Sequence, residues 1–269
     1  MSRPLDMSRW ERAAIGQGAP DLLWEWFHEN SKTGRFDPFP TNDAVVAEMQ
    51  ARLESLDYAS YPLVALPQTR TPLAAPLDEV LAARESARGM APGPVTLEQL
   101  GSLLFWAYGV TRDNVGTVHP RPFRTIPSGG GLYPLELYFH SSHVEGLAPG
   151  LYHYSAAHHH LRRLAAGDHG DRIAAALVQP ELAASASIVF FVTAMFERST
   201  FKYRDRGYRF VFLEAGHLGQ NLTLAAIAMG LKATSIGGFF DRDVDKLLHI
   251  DGINHSSIYL CAVGHPEEP

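Results

Sequence analysis

The run from about Tyr208 to Met229 narrows the folds open to this chain more than any other stretch. Phe210, Leu213, Ala215, Leu218, Leu222 and Ala225 recur at helical spacing and give a broad apolar stripe, while Gly216 and Gly219 permit close packing. A helix of that length and stripe width belongs at a core or an interface. Around it lie short runs rich in β-formers: 135–140 (LELYFH), 150–154 and 160–164 on either side of an AAHH turn, 187–194 (SIVFFVTA) and 257–263 (SIYLCAV). Two more helices are predicted. One covers 97–108, opened by a Thr96/Gln99 capping box and closed by Gly109. The other covers 42–55, where Val45, Val46, Met49 and Leu53 follow an Asn42 cap. Residues 1 to about 75 otherwise read as irregular, with a Trp/Phe-rich DLLWEWFHEN and a Pro-punctuated stretch from Pro62 to Pro76. With no repeat and no low-complexity linker, the expected organisation is an N-terminal extension, 1–75, packing on one mixed α/β domain, 76–269.

Composition removes several classes of function. A net charge of -6 lacks the clustered basic footprint of nucleic-acid binders, so a small molecule or a peptide is the expected partner. No run approaches the roughly 18 uninterrupted apolar residues of a membrane helix, and MSRPLDMSRWER has no apolar secretory core. The cytoplasm is the expected location. The single cysteine, Cys261, can form no internal disulfide. His158, His159 and His160 are adjacent, and three neighbouring side chains rarely converge on one ion, so they read as a hairpin tip and no metal site is expected.

Four clusters carry the candidate chemistry. In Arg124–Pro134 (RTIPSGGGLYP), Pro127 and Ser128 precede Gly129, Gly130 and Gly131, a backbone able to approach a planar ligand or to serve only as a turn. Arg84, Ser86 and Arg88 place two guanidinium groups and a hydroxyl within five residues, which suits a phosphate or a solvated face. Thr234–Asp241 offers the Gly237-Gly238 pair. Phe201–Arg209 contains Lys202 beside Tyr203, where an ammonium favours phenolate and makes the tyrosine a candidate base. Without context that pair is an ordinary surface feature.

In their order and spacing these clusters resemble the flavin-dependent nitroreductase superfamily, and within it the SagB/ThcOx (McbC-like) azoline dehydrogenases. The resemblance covers about residues 76–264, through RTIPSGGGLYPLELYFH, GLYHY and FERSTFKYRDRGYRFVFLEAGHLGQNLTLAAIAMGLKATSIGGFFD, and FHENSK looks like the pre-domain of these oxidases. It implies an α+β nitroreductase-like fold, a central mixed or antiparallel sheet flanked by helices, in an interlocked homodimer with two FMN sites. Carried over by position, Arg84, Ser86 and Arg88 would hold the FMN phosphate and ring edge. Pro127, Ser128, Gly129, Gly130, Gln220, Gly237 and Gly238 would line the flavin, with Lys202 and Tyr203 catalytic. Many nitroreductases place basic phosphate ligands after the last strand. Here GHPEEP follows instead, so Arg124 is the candidate for that charge. His217, beside Gln220, reads equally as a buried core residue or a flavin neighbour. The implied reaction turns a peptide thiazoline or oxazoline into an azole by removal of a ring proton and hydride transfer to flavin N5, on a ribosomal or carrier-tethered peptide. Alternatives are an NAD(P)H-dependent nitro or enone reductase and a non-catalytic scaffold in a cyclodehydratase complex.

Overall fold

The computed structural model describes residues 23–117 and 121–267. The chain divides into two compact units, Met1–Pro38 and Phe39–Pro269. In the first, the Trp/Phe-rich segment expected to be irregular is a helix, α1 (Trp24–Asn30), with Glu25 in its first turn and His28 in its last. The Glu25 charge suits the helix dipole, and no proline or glycine interrupts the run.

In the second unit α2 (Asn42–Ala51) begins at Asn42, the predicted cap, so the cap itself lies one residue earlier. Thr41 is the N-cap, its hydroxyl accepting from the Ala44 N–H, and the helix stops at Ala51. The Pro-punctuated stretch contributes an edge strand, β1 (Leu63–Ala65), and α3 (Leu77–Ala83) follows it. α4 (Leu97–Tyr108) carries the predicted Thr96/Gln99 capping box. Gly109 closes it with φ -69, so its role is close approach: a Cβ there would stand 2.7 Å from the Phe105 carbonyl oxygen.

A short β2 (Val110–Arg112) and β3 (Phe123–Arg124) hairpin leads to a tight turn at Gly129–Gly131. Then come β4 (Leu135–Ser141), β5 (Gly150–Ser155), β6 (His160–Ala166), the short α5 (Gly170–Ala175) and α6 (Glu181–Ala184), and β7 (Ile188–Met195). α7 (Glu197–Tyr203), α8 (Asp205–Ala228), β8 (Lys232–Ile236), α9 (Asp241–Leu248) and β9 (His255–Gly264) complete the order. The seven-stranded sheet runs β1-β6-β5-β4-β7-β9-β8, every pairing antiparallel.

Because successive side chains of a strand face opposite ways, the central strands feed two cores. Leu135, Leu137, Phe139, Phe190 and Val192 face α4 and α8, packing on Leu100, Leu104, Val211, Leu218 and Leu222. Tyr138, Val189 and Phe191 face α5, α6 and α9 through Ile173, Leu182, Val244 and Leu247. The α8 stripe is buried at Ala215, Leu218, Leu222 and Ala225, but Leu213 is 60% exposed. Of its glycines, Gly219 is the close contact, where a Cβ would lie 2.6 Å from Tyr259 Cε1; around Gly216 nothing lies within 4 Å. At the β5–β6 turn His158 is exposed, while His159 is half-buried with Nδ1 2.9 Å from the Tyr154 hydroxyl.

Candidate functional site

α7 ends directly after Tyr203 because Arg204 takes φ 50, ψ -138, and α8 restarts at Asp205. The two helices cross closely at Gly207, where a Cβ would come within 2.9 Å of the Ser199 backbone. This crossing presents Lys202 and Tyr203 to the triple-glycine turn. Gly130 has φ 69, a conformation that favours glycine. A Cβ on it would stand 2.6 Å from the Tyr203 hydroxyl and 2.8 Å from Lys202 Nζ. Lys202 Nζ lies 5.0 Å from the Tyr203 ring centroid, and that ring meets Phe210 edge-on at 4.9 Å. A Cβ at Gly129 would lie 3.1 Å from Phe210. Residues 73 positions apart in sequence thus form one group, with Pro127 exposed at its border.

Beneath that turn lies a buried polar layer. The Ser128 hydroxyl accepts from the Tyr133 N–H at 2.9 Å, and the Tyr133 hydroxyl accepts from the Arg124 N–H at 3.0 Å. Glu214, on α8, is 2% exposed and accepts from the Tyr108 hydroxyl at 3.2 Å. Desolvation pushes its carboxyl up to about 7, opposed by hydrogen bonding to Ser128 and Tyr108 and by the Arg124 charge. Arg124 belongs to this layer. Its guanidinium lies over Tyr108 at 4.3 Å and Tyr133 at 4.8 Å, with Nη2 3.5 Å from Glu54.

Arg84, Ser86 and Arg88 form a second group, all exposed, alongside β8. The Ala87 N–H donates to the Ala233 carbonyl at 3.1 Å, the Thr234 hydroxyl donates to the Ala87 carbonyl at 2.5 Å, and Lys232 pairs with Glu85 at 2.5 Å. β8 then delivers Gly237 and Gly238 to the same side of the fold, both exposed, and a Cβ on Gly237 would meet nothing within 4 Å.

The two groups lie toward different ends of α8: Phe210 touches the first, whereas α3, which leads into Arg84, borders a cavity with Leu224, Ala225 and Ala228. From Phe210 to Ala228 is about 27 Å of helix at 1.5 Å per residue. Arg124, the candidate phosphate charge, belongs to the polar layer under the triple-glycine turn and also lines the cavity that α3 borders. Gln220 and His217 are exposed on α8, which removes the buried-core reading of His217; Phe212 (42% exposed) and Leu213 are exposed nearby.

Among the described residues three buried carboxylates escaped the sequence reading, Glu214, Glu136 and Asp245. Glu136, on β4, sits 2.7 Å from Arg198 Nη1 and from His153 Nε2 and accepts from the Leu56 N–H at 2.9 Å. Desolvation pushes its carboxyl up, but Arg198 and His153 hold it well below the usual carboxylate range. Among the described residues, no group of histidine, cysteine or acidic side chains could hold a metal ion, and no helix is long and apolar enough to cross a membrane.

The model of the nitroreductase family matches residues 81–265. A nitroreductase-family protein of Methanocaldococcus jannaschii is 38% identical over 174 residues, 65% of this chain and 84% of that protein. The microcin B17-processing protein McbC of Escherichia coli is 33% identical over 144 residues, 48% of this chain and 49% of McbC. A solved nitroreductase-type structure from Anabaena variabilis superposes with a TM-score of 0.73 at 23% identity, over 93% of this chain and 49% of that one. A chain of the E. coli microcin synthetase McbBCD complex, with truncated pro-MccB17 bound, gives 0.57 at 22%, over 92% of this chain and 98% of that one. The chain therefore spans about half the length of McbC and of the Anabaena chain.

Proposed function

The chain belongs to the nitroreductase family, and from that premise we propose that it is an FMN-dependent azoline dehydrogenase of the McbC-like branch, oxidising thiazoline or oxazoline rings in a peptide. The observation that carries this reading is the convergence of Lys202 and the Tyr203 hydroxyl on Gly130, a proton-handling pair set against backbone that a planar group can approach. A reductase fed by a nicotinamide leaves that pair without a role.

The residues fit FMN. Arg84 and Arg88 offer exposed charge-assisted donors to a phosphate monoester, with the Ser86 hydroxyl between them. Open space beside Gly237 and the glycine-only turn at Gly130 leave room for a ring system. When bound, FMN supplies the two-electron acceptor that these side chains lack. The chain's own part is proton removal and orientation. Tyr203 is the base that takes the acidic ring proton at the former Cα, with Lys202 beside it at the same turn. Ser128, fixed by the Tyr133 N–H and Glu214, and Gln220 complete the ring's surroundings.

Since the phosphate-side group and the Lys-Tyr group lie toward different ends of α8, the complete site is assembled by a homodimer. The exposed Phe212–Leu213 face of α8 packs on its equivalent and brings one protomer's Arg84–Arg88 to its partner's Lys-Tyr pair. McbC is a microcin B17-processing protein and the McbBCD synthetase complex holds truncated pro-MccB17, which supports a substrate of that kind and work within a complex.

The test is anaerobic addition of an azoline peptide to the FMN-loaded protein, following oxidised-flavin absorbance and peptide mass. Bleaching with loss of two hydrogens from the peptide is expected, slowed at least a hundredfold in Tyr203→Phe. Bleaching by NAD(P)H alone would move the protein among the reductases. Turnover at the wild-type rate in flavin-loaded Tyr203→Phe would remove the base assignment.

A further inference from the structure

A cavity of ≈ 590 Å³ lies between α3, the end of α4, the β2–β3 hairpin and the C-terminal half of α8. Neither the Lys202–Tyr203 pair nor the Arg84–Arg88 segment lines it. Its wall is mostly aliphatic, from Leu73, Leu77, Val80, Leu224, Ala225 and Ala228, and its charged lining residues are Arg112 and Arg124, with no carboxylate among them.

Three of its lining residues carry a buried polar atom with no hydrogen-bond partner: Trp106 Nε1, Arg124 Nε and Thr125 Oγ1. Buried polar groups are nearly always paired, because an unpaired one forfeits its hydration without return. Two of these atoms can only donate, and a hydroxyl can donate as well. The Arg124 side chain is 1% exposed, and its guanidinium is held by Tyr108, Tyr133 and Glu54, so its direction is fixed before any ligand arrives.

We propose that this cavity is a binding site for a small aliphatic carboxylate, its anionic head received by Arg124, Thr125 and Trp106 and its chain by the leucine and alanine wall. A carboxylate presents about four acceptor sites, enough for the three unpaired atoms. The volume is within the roughly 300–1,000 Å³ of small-molecule pockets, whose usual composition is an apolar wall with few polar groups. The proposal is independent of the azoline reading. A flavin phosphate is the other anion to consider, and the aliphatic wall offers nothing to the hydroxylated chain attached to it.

The experiment is calorimetric titration of the FMN-loaded protein with octanoate, with free-flavin fluorescence recorded alongside and octylamine as the cationic counterpart. Saturable binding of octanoate with no flavin release and no binding of octylamine is expected. Leu224→Trp, which fills the cavity, should abolish octanoate binding while circular dichroism and flavin content stay unchanged. Arg124→Gln should weaken binding at least tenfold. Because Arg124 is buried and that variant can lose its fold, Thr125→Val gives a second measure, with a severalfold loss. Absence of saturable binding, equal binding by octylamine, undiminished binding in Leu224→Trp, or flavin release in step with octanoate binding would each overturn the proposal.

Discussion

Replacing Glu214 with glutamine should make the protein more stable at neutral and alkaline pH, and by an amount that depends on pH in a defined way. Glu214 lies under the triple-glycine turn, 2% exposed, with its carboxyl pushed from 4.5 up to about 7 by desolvation. A carboxylate raised in this way binds its proton more tightly in the folded chain than in the unfolded one. Its contribution to stability is therefore complete below about pH 4.5 and is lost as pH rises through about 7. At about 1.4 kcal/mol per pH unit, the loss comes to about 3 kcal/mol. Glutamine has the shape of the protonated acid and keeps an oxygen to accept from Tyr108, but it does not ionise. Urea unfolding of both proteins between pH 4 and pH 8.5 should give a difference in stability that is flat below about pH 4.5, grows in favour of Glu214→Gln by about 3 kcal/mol between there and about pH 7, and levels off above it. A difference that stays constant over this range would refute the reasoning, since Glu214 would then titrate alike in both states. The same variant should lose any flavin-affinity change centred near pH 7, because Ser128, which the proposed site sets against the flavin, is bonded to this carboxyl.

Gly130→Ala should cut flavin content and azoline turnover at least tenfold with the far-ultraviolet circular dichroism unchanged, since φ 69 and the 2.6 Å approach of the Tyr203 hydroxyl both oppose a Cβ; wild-type flavin occupancy would contradict it. Glu136→Gln breaks a buried carboxylate's pairing with Arg198 and His153 and should cost about 3–5 kcal/mol, read as a lowered thermal midpoint. In wild-type protein the stability Glu136 contributes is present above its ordinary range and lost as pH falls below it, so the variant should show a shallower acid transition. Gly219→Ala drives a methyl to 2.6 Å from Tyr259 Cε1 and should destabilise by about 1–3 kcal/mol in urea unfolding.

How much could be read from the sequence depended on whether a signal was local. The Thr96/Gln99 capping box is one turn of chain and was legible in full, as were the five long strands, whose alternation feeds two cores. β8 (KATSI) was missed because small and polar residues at a sheet edge look like loop, and β1 because three residues carry no period. At the site, Lys202, Tyr203 and Gly130 each stood out, but the contact joining them depends on Arg204 at φ 50 and on the crossing at Gly207, which no propensity encodes. Glu136 in LELYFH and Glu214 in VFLEAGH carried no signal of their own, because their partners, His153, Arg198, Tyr108 and Ser128, are distant in sequence. Leu213 failed in the other direction: it fits the buried stripe, yet it faces outward in the single chain.

The Arg84–Arg88 segment has been described by what its side chains could hold, yet its backbone has a separate task. β8 is the last strand of the sheet, and its outer edge is engaged by Ala87, which donates to Ala233 and accepts from Thr234. An uncovered edge strand is a template for pairing with another chain. A fragment beginning after residue 88 would keep β4, β7 and β9 intact and still be prone to self-association, for want of a few residues that form no strand. Under the proposed assignment, cofactor recognition and protection of the sheet edge would be drawn from one short piece of chain, so selection on either would be felt by the other.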